Sequence, residues 1–93
     1  MKELTEVRGE LDEVDRALVA LLEKRMGLAL DVAAYKAAHQ LPVLDTSRKA
    51  AVLDSRCAFL TDPRWSPDIR AVFETIMERS CEAQRTWMEE EQA

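Results

Sequence analysis

Leu4–Lys36, LTEVRGELDEVDRALVALLEKRMGLALDVAAYK, is the stretch that decides the fold. Its apolar residues fall at Leu4, Val7, Leu11, Val14, Leu18 and Leu21, then at Leu28 and Val32. Those spacings trace one continuous seam along a helix. Arg25 stands in the seam between Leu21 and Leu28, where the next leucine belongs. Lys36 follows eleven residues later, within about 20° of the same face. Two cations on the inner stripe of a chain with net charge −5 need an anion to face.

The 93 residues are read as a single domain, 1–93, with 47% apolar and 33% charged residues. Two Gly, three Pro and 5% aromatics leave little for turns and sheets, so the expected class is all-α. Acidic balance argues against non-specific nucleic-acid binding, which would need a basic stripe. No run of eighteen apolar residues occurs, and the N-terminus lacks the apolar core of a signal peptide, so a cytoplasmic protein is expected. Cys57 and Cys81 lie in different segments with no C-x-x-C pattern and read as ordinary thiols in a reducing compartment. His39 stands alone and reads as a surface residue, so neither a metal nor a cofactor is expected.

The first helix should run from Met1–Glu3 to about Ala38, with Gly9 and Gly27 explained by close helix packing. Such a helix is about 54 Å long at 1.5 Å per residue. A compact chain of this size has a radius of gyration near 12 Å, so a partner must cover the overhang. The spacing therefore predicts three helices per chain, one long and two shorter, in an intertwined homodimer. Pro42 breaks the helical period, and Asp45-Thr46-Ser47 reads as the cap of a second helix ending near Leu60. Ser66-Pro67-Asp68 signals a third helix from Pro67 to about Glu90, with Ser66 as cap and a frayed tail at 89–93. Its seam, Phe73, Met77, Ser80, Gln84, Trp87 and Met88, again carries polar groups where a core wants leucine.

Each intrusion has an ordinary explanation when taken alone. Arg25 could pair with a buried carboxylate such as Asp15, and Lys36 could be a helix-end cation favoured by the macrodipole. Ser80 and Gln84 could fix the register of two helices by a hydrogen bond, and Arg8 could be a surface residue. Together they point to a small, multiply charged anion between the helices, because buried charge without compensation costs several kcal/mol per ion. Arg8 precedes Arg25 by seventeen residues, about 25 Å along the axis. It can reach a shared ligand only across a dimer.

Over nearly its whole length the chain resembles the all-helical chorismate mutases. The resemblance rests on Val7-Arg8-Gly9-Glu10-Leu11-Asp12-Glu13-Val14-Asp15, Leu21-Leu22-Glu23-Lys24-Arg25 and Val32-Ala33-Ala34-Tyr35-Lys36. It continues with Leu41-Pro42-Val43-Leu44-Asp45, Arg48, Ser80 and Gln84. It implies an intertwined dimer with two equivalent pockets, each made mostly by one protomer, and chorismate as the dianionic substrate. Arg25 would hold one substrate carboxylate, and Arg8 would arrive from the other chain to hold a carboxylate too. Lys36 and Gln84 would aim donors at the ether oxygen of the breaking bond, with Asp45, Arg48 and Ser80 completing the pocket. One position departs from the family pattern: the residue after the pocket arginine is commonly Glu, which contacts the ring hydroxyl, and here it is Lys49. That contact would fall to Asp45 or to a backbone group.

The implied reaction, chorismate to prephenate, is a unimolecular Claisen rearrangement with no proton transfer and no covalent intermediate. Its needs are a clamp that holds the dianion in compact form and donors fixed where charge builds on the ether oxygen. Two rivals share the scaffold. An isochorismate-pyruvate lyase would use the same Arg and Lys positions, and a non-catalytic helical dimerisation or regulatory module would not turn over chorismate.

Overall fold

The computed structural model describes residues 1–92. Three helices follow one another along the chain: α1 (Leu4–Ala38), α2 (Thr46–Ala58) and α3 (Ser66–Gln92), with a 3-10 turn at Pro63–Trp65 before α3. No strand occurs among the described residues. No helix there is long and apolar enough to cross a membrane.

α1 starts at Leu4, slightly later than the sequence suggests, because Glu3 is extended (φ −67°, ψ 147°) and its side chain makes no cap. Its end is sharply defined. Gln40 takes a positive φ of 56°. The amide of Leu41 then donates to the Lys36 carbonyl at 2.8 Å, and that of Gln40 to Ala37 at 3.3 Å. This pair of bonds is a Schellman motif, with Gln in the left-handed position that usually holds Gly. The chain turns there and runs through Pro42 into α2, whose N-cap is Asp45, accepting from the Arg48 amide at 3.1 Å.

α2 stops at Ala58 rather than Leu60. The start of α3 also differs from expectation. Asp62, not Ser66, is the capping residue: it accepts from the Arg64 amide at 3.0 Å and opens a 3-10 turn that runs directly into the helix. Ser66 is therefore already helical, with no non-helical position left for it to cap. At the other end α3 continues through Gln92, so residues 89–92 are helical where fraying was expected; Ala93 lies outside the described residues.

α1 and α2 both lean on α3 and barely touch each other. The buried apolar core is small: Ala29, Ala33, Val52 and Leu53. Leu11, Val14, Leu18, Leu21, Leu28 and Val32 are exposed along α1 in the single chain. The molecule measures 55 × 26 × 14 Å with a radius of gyration of 16.6 Å, against about 12 Å for a compact chain of this length. Close helix packing does not explain the two glycines within one chain. A Cβ at Gly9 or Gly27 would meet nothing within 4 Å.

Candidate active-site cleft

The space between α1 and α2, floored by α3, is a cleft of about 590 Å³, within the range of small-molecule sites. Its walls explain why the two helices stay apart. Seven basic residues lie along it (Arg25, Lys36, Arg48, Lys49, Arg56, Arg79 and Arg85) with three acidic ones, Asp45, Glu78 and Glu82; of these Arg25, Lys36, Lys49 and Arg56 are half-buried and the rest exposed. Like charges facing one another across a gap repel, and no leucine zipper can close over them.

Arg25 reaches the cleft from the middle of α1, half-buried. Its Nη1 donates to Ser80 Oγ at 2.7 Å, and Ser80 in turn donates to the Ile76 carbonyl at 2.8 Å. The serine hydroxyl is thus fixed from both sides and holds the guanidinium in one orientation. Among the described residues no carboxylate lies within 4 Å of Arg25. Asp15, a possible partner from sequence alone, is exposed on α1, about 15 Å along the axis from Arg25. Burial lowers the Arg25 pKa from its ordinary value, and the nearby Arg56 and Arg48 lower it further. The group remains charged at neutral pH, so the charged form is held in an unfavourable place until an anion arrives.

Lys36 lies in the last turn of α1, half-buried, and its Nζ donates to the Val43 carbonyl at 2.7 Å. The Schellman turn makes this bond possible by folding residue 43 back over the helix end. An ammonium has three hydrogens, so two remain for a ligand. Gln84 sits one turn beyond Ser80 on α3, and both are only 6% exposed. Gln84 Oε1 is buried with no hydrogen-bond partner among the described residues. Such an amide costs about 1–3 kcal/mol unless something else satisfies it.

Asp45 and Arg48 form the mouth of the cleft on the α2 side, both exposed. The Asp45 carboxylate accepts from Ser47 Oγ at 2.7 Å and from the Arg48 amide. These bonds, the one from the Ser47 hydroxyl first, hold its pKa below the ordinary carboxylate value. Lys49 is half-buried in the α2 wall. The structure therefore brings Arg25, Lys36, Asp45, Arg48, Lys49, Ser80 and Gln84 to one cleft. It does not bring Arg8 there: Arg8 is exposed on α1, about 25 Å along the helix from Arg25.

Three lining cations were not singled out from sequence: Arg56, Arg79 and Arg85. Arg85 is partly answered by Glu82 at 3.5 Å. Arg56 falls seven residues after Lys49 and four after Val52, on the face of α2 that lines the cleft. His39, as expected, is exposed, and its ring stacks on Tyr35 at 4.0 Å. Cys57 and Cys81 are free thiols, both half-buried.

Comparison with known proteins agrees with the contents of the cleft. The family described as chorismate mutase type II matches residues 7–85. The chain is 28% identical over 86 residues to the 4-amino-4-deoxychorismate mutase of Streptomyces pristinaespiralis, covering 91% of this chain and 67% of that one. It is 27% identical over 93 residues to the chorismate mutase of Methanocaldococcus jannaschii, covering 99% and 94%. A T-protein from Enterobacter agglomerans is 43% identical over 54 residues, which is 58% of this chain but 14% of that protein.

Proposed function

The chain belongs to the chorismate mutase type II family, and from that premise we propose that it rearranges chorismate to prephenate in the cleft between α1 and α2. The observation that carries the reading is the convergence of Arg25, Lys36 and the buried Gln84 amide on one cation-rich cavity. A dianion needs this set, and a plain helix core has no use for it.

Arg25, held by Ser80, grips one carboxylate through its planar fork, and Arg48 adds a second cation at the mouth. Holding the flexible dianion with its two reacting carbons together removes much of the entropic part of the barrier. As the C–O bond breaks ahead of C–C bond formation, negative charge collects on the ether oxygen. Lys36 supplies a point charge there, and the Gln84 amide supplies an N–H. Both are in place before the reaction starts, so they stabilise the transition state more than the ground state. Asp45 and its neighbours at the mouth receive the ring hydroxyl.

The working unit in this reading is a homodimer. The row of exposed leucines and valines on α1 is a large apolar surface of the kind that marks a protein interface. A second copy packed on that row brings its own Arg8 toward the first copy's cleft. Each pocket is then completed by the other chain.

The direct test is loss of chorismate absorbance with the purified protein and identification of the product. Prephenate is expected. Salicylate and pyruvate from isochorismate, with chorismate untouched, would replace this reading by a lyase, and no turnover of either would leave a binding module.

A further inference from the structure

Arg56 lines the cleft, yet the proposed reaction leaves it without a task. The short connection at residues 39–45 turns α2 back along α1. Lys36 at the end of α1 and Asp45 at the cap of α2 stand at one level, tied by the bond from Lys36 Nζ to the Val43 carbonyl. Arg25 lies eleven residues back from Lys36, and Arg56 eleven residues on from Asp45. Each is therefore about 16 Å in from that level, on facing walls of the cleft. Both are half-buried. Burial, then the charge of Arg56, then that of Arg48 lower the Arg25 pKa, so Arg56 is the cation that presses hardest on Arg25.

Among the described residues neither guanidinium has a carboxylate within 4 Å. Arg25 donates to Ser80 Oγ. Arg56 Nη1 donates to Ser55 Oγ at 2.9 Å, and its guanidinium lies 5.9 Å from the centre of the Phe59 ring. A guanidinium has five N–H donors, so most of each fork is uncommitted. Two facing cations, half out of water and without a counter-charge, repel each other and lose hydration. An anion held between them offsets both costs. We infer that Arg56 is a further substrate-binding residue, holding from the α2 wall the same carboxylate that Arg25 holds from α1. The inference rests on the mutase reading above and adds to it a second arginine from the same chain. The carboxylate takes no part in the bonds that break and form. The contact is therefore equally strong before and in the transition state, and it lowers KM while leaving kcat nearly unchanged.

Two measurements test it, one of them independent of turnover. The first is thermal unfolding, followed by circular dichroism, in inorganic phosphate and in chloride at matched ionic strength. Phosphate is expected to raise the wild-type midpoint, because an anion that binds only the folded chain stabilises it. In Arg56→Gln and in Arg25→Gln that gain should fall by about half or more. The second is steady-state kinetics with chorismate. Arg56→Gln should raise KM about tenfold or more, the size of one charge-assisted hydrogen bond, and change kcat by less than about threefold. Arg56→Lys, which keeps the charge without the fork, should lie between. No phosphate gain in the wild type, an equal gain in Arg56→Gln, or a KM for that variant within about twofold of wild type would overturn the inference. If chorismate is not rearranged at all, the mutase reading fails by itself, and the phosphate measurement still decides whether the two arginines form one anion site.

Discussion

Lys36 and Gln84 carry the sharpest expectation at the scale of single residues. Removing one preorganised donor from a developing oxyanion costs about 10²-fold or more in kcat. Lys36→Ala and Gln84→Ala should therefore lower kcat far more than they raise KM in steady-state assays. A change in kcat under about threefold for Lys36→Ala, less than ~1 kcal/mol of barrier, would remove it from the ether oxygen. Arg25→Ala should harm binding as well as turnover, because the same group holds the substrate carboxylate. These residues were legible in sequence for one reason: a charge or amide in a leucine seam is conspicuous. Arg56 was not, because α2 is only 13 residues long and too sparse in apolar residues to define a seam. Without a seam, an inward arginine looks like any surface arginine.

Among the elements, the two ends of the α1–α2 connection set the geometry of the cleft. Gln40 occupies a left-handed position at φ 56°, where a Cβ costs about 1–2 kcal/mol and glycine costs nothing. Gln40→Gly should raise the midpoint of thermal unfolding by several degrees, roughly 4–8 °C per kcal/mol gained, with the Lys36–Val43 bond preserved. A fall in the midpoint would mean that the Gln40 side chain itself holds the turn. Asp45 adds a pH dependence. Its pKa is lower in the folded chain than its ordinary value, so its contribution to stability is present above that ordinary value. The contribution is lost as pH falls through the folded pKa. Asn also caps a helix but does not titrate, so Asp45→Asn should show a shallower fall in urea midpoint below pH 4 than the wild type. An identical fall would assign the acid sensitivity to other carboxylates. Sequence located all three helices and the Asp45 cap. It misjudged the cap before α3 because Ser66-Pro67 is a strong local signal. Asp62, four residues earlier, had already begun the turn, and the 3-10 geometry leaves no break between the two.

As a whole, the molecule is a rod with one end half-built. Its length could be read from the unbroken period of residues 4–36, and the 55 Å extent agrees with about 1.5 Å per helical residue. What the period could not give was which side of the rod is hollow, because that depends on where α2 comes to rest against α3. Four buried apolar residues among those described, two of them alanines, are a thin core for a chain this long, while leucines and valines stand exposed along α1. Arg8, on that exposed half, has a role only if a second chain lies there. The most direct measurement follows from this arrangement. Chains carrying Arg8→Ala and chains carrying Arg25→Ala are each expected to be nearly inactive. Mixed in equal amounts, unfolded and refolded together, they should assemble with one intact pocket in every mixed dimer. The mixture is then expected to recover about a quarter of wild-type activity, since about half of randomly paired dimers are mixed and one of their two sites is whole. A mixture no more active than its two components would contradict a cage for the dianion built from both subunits.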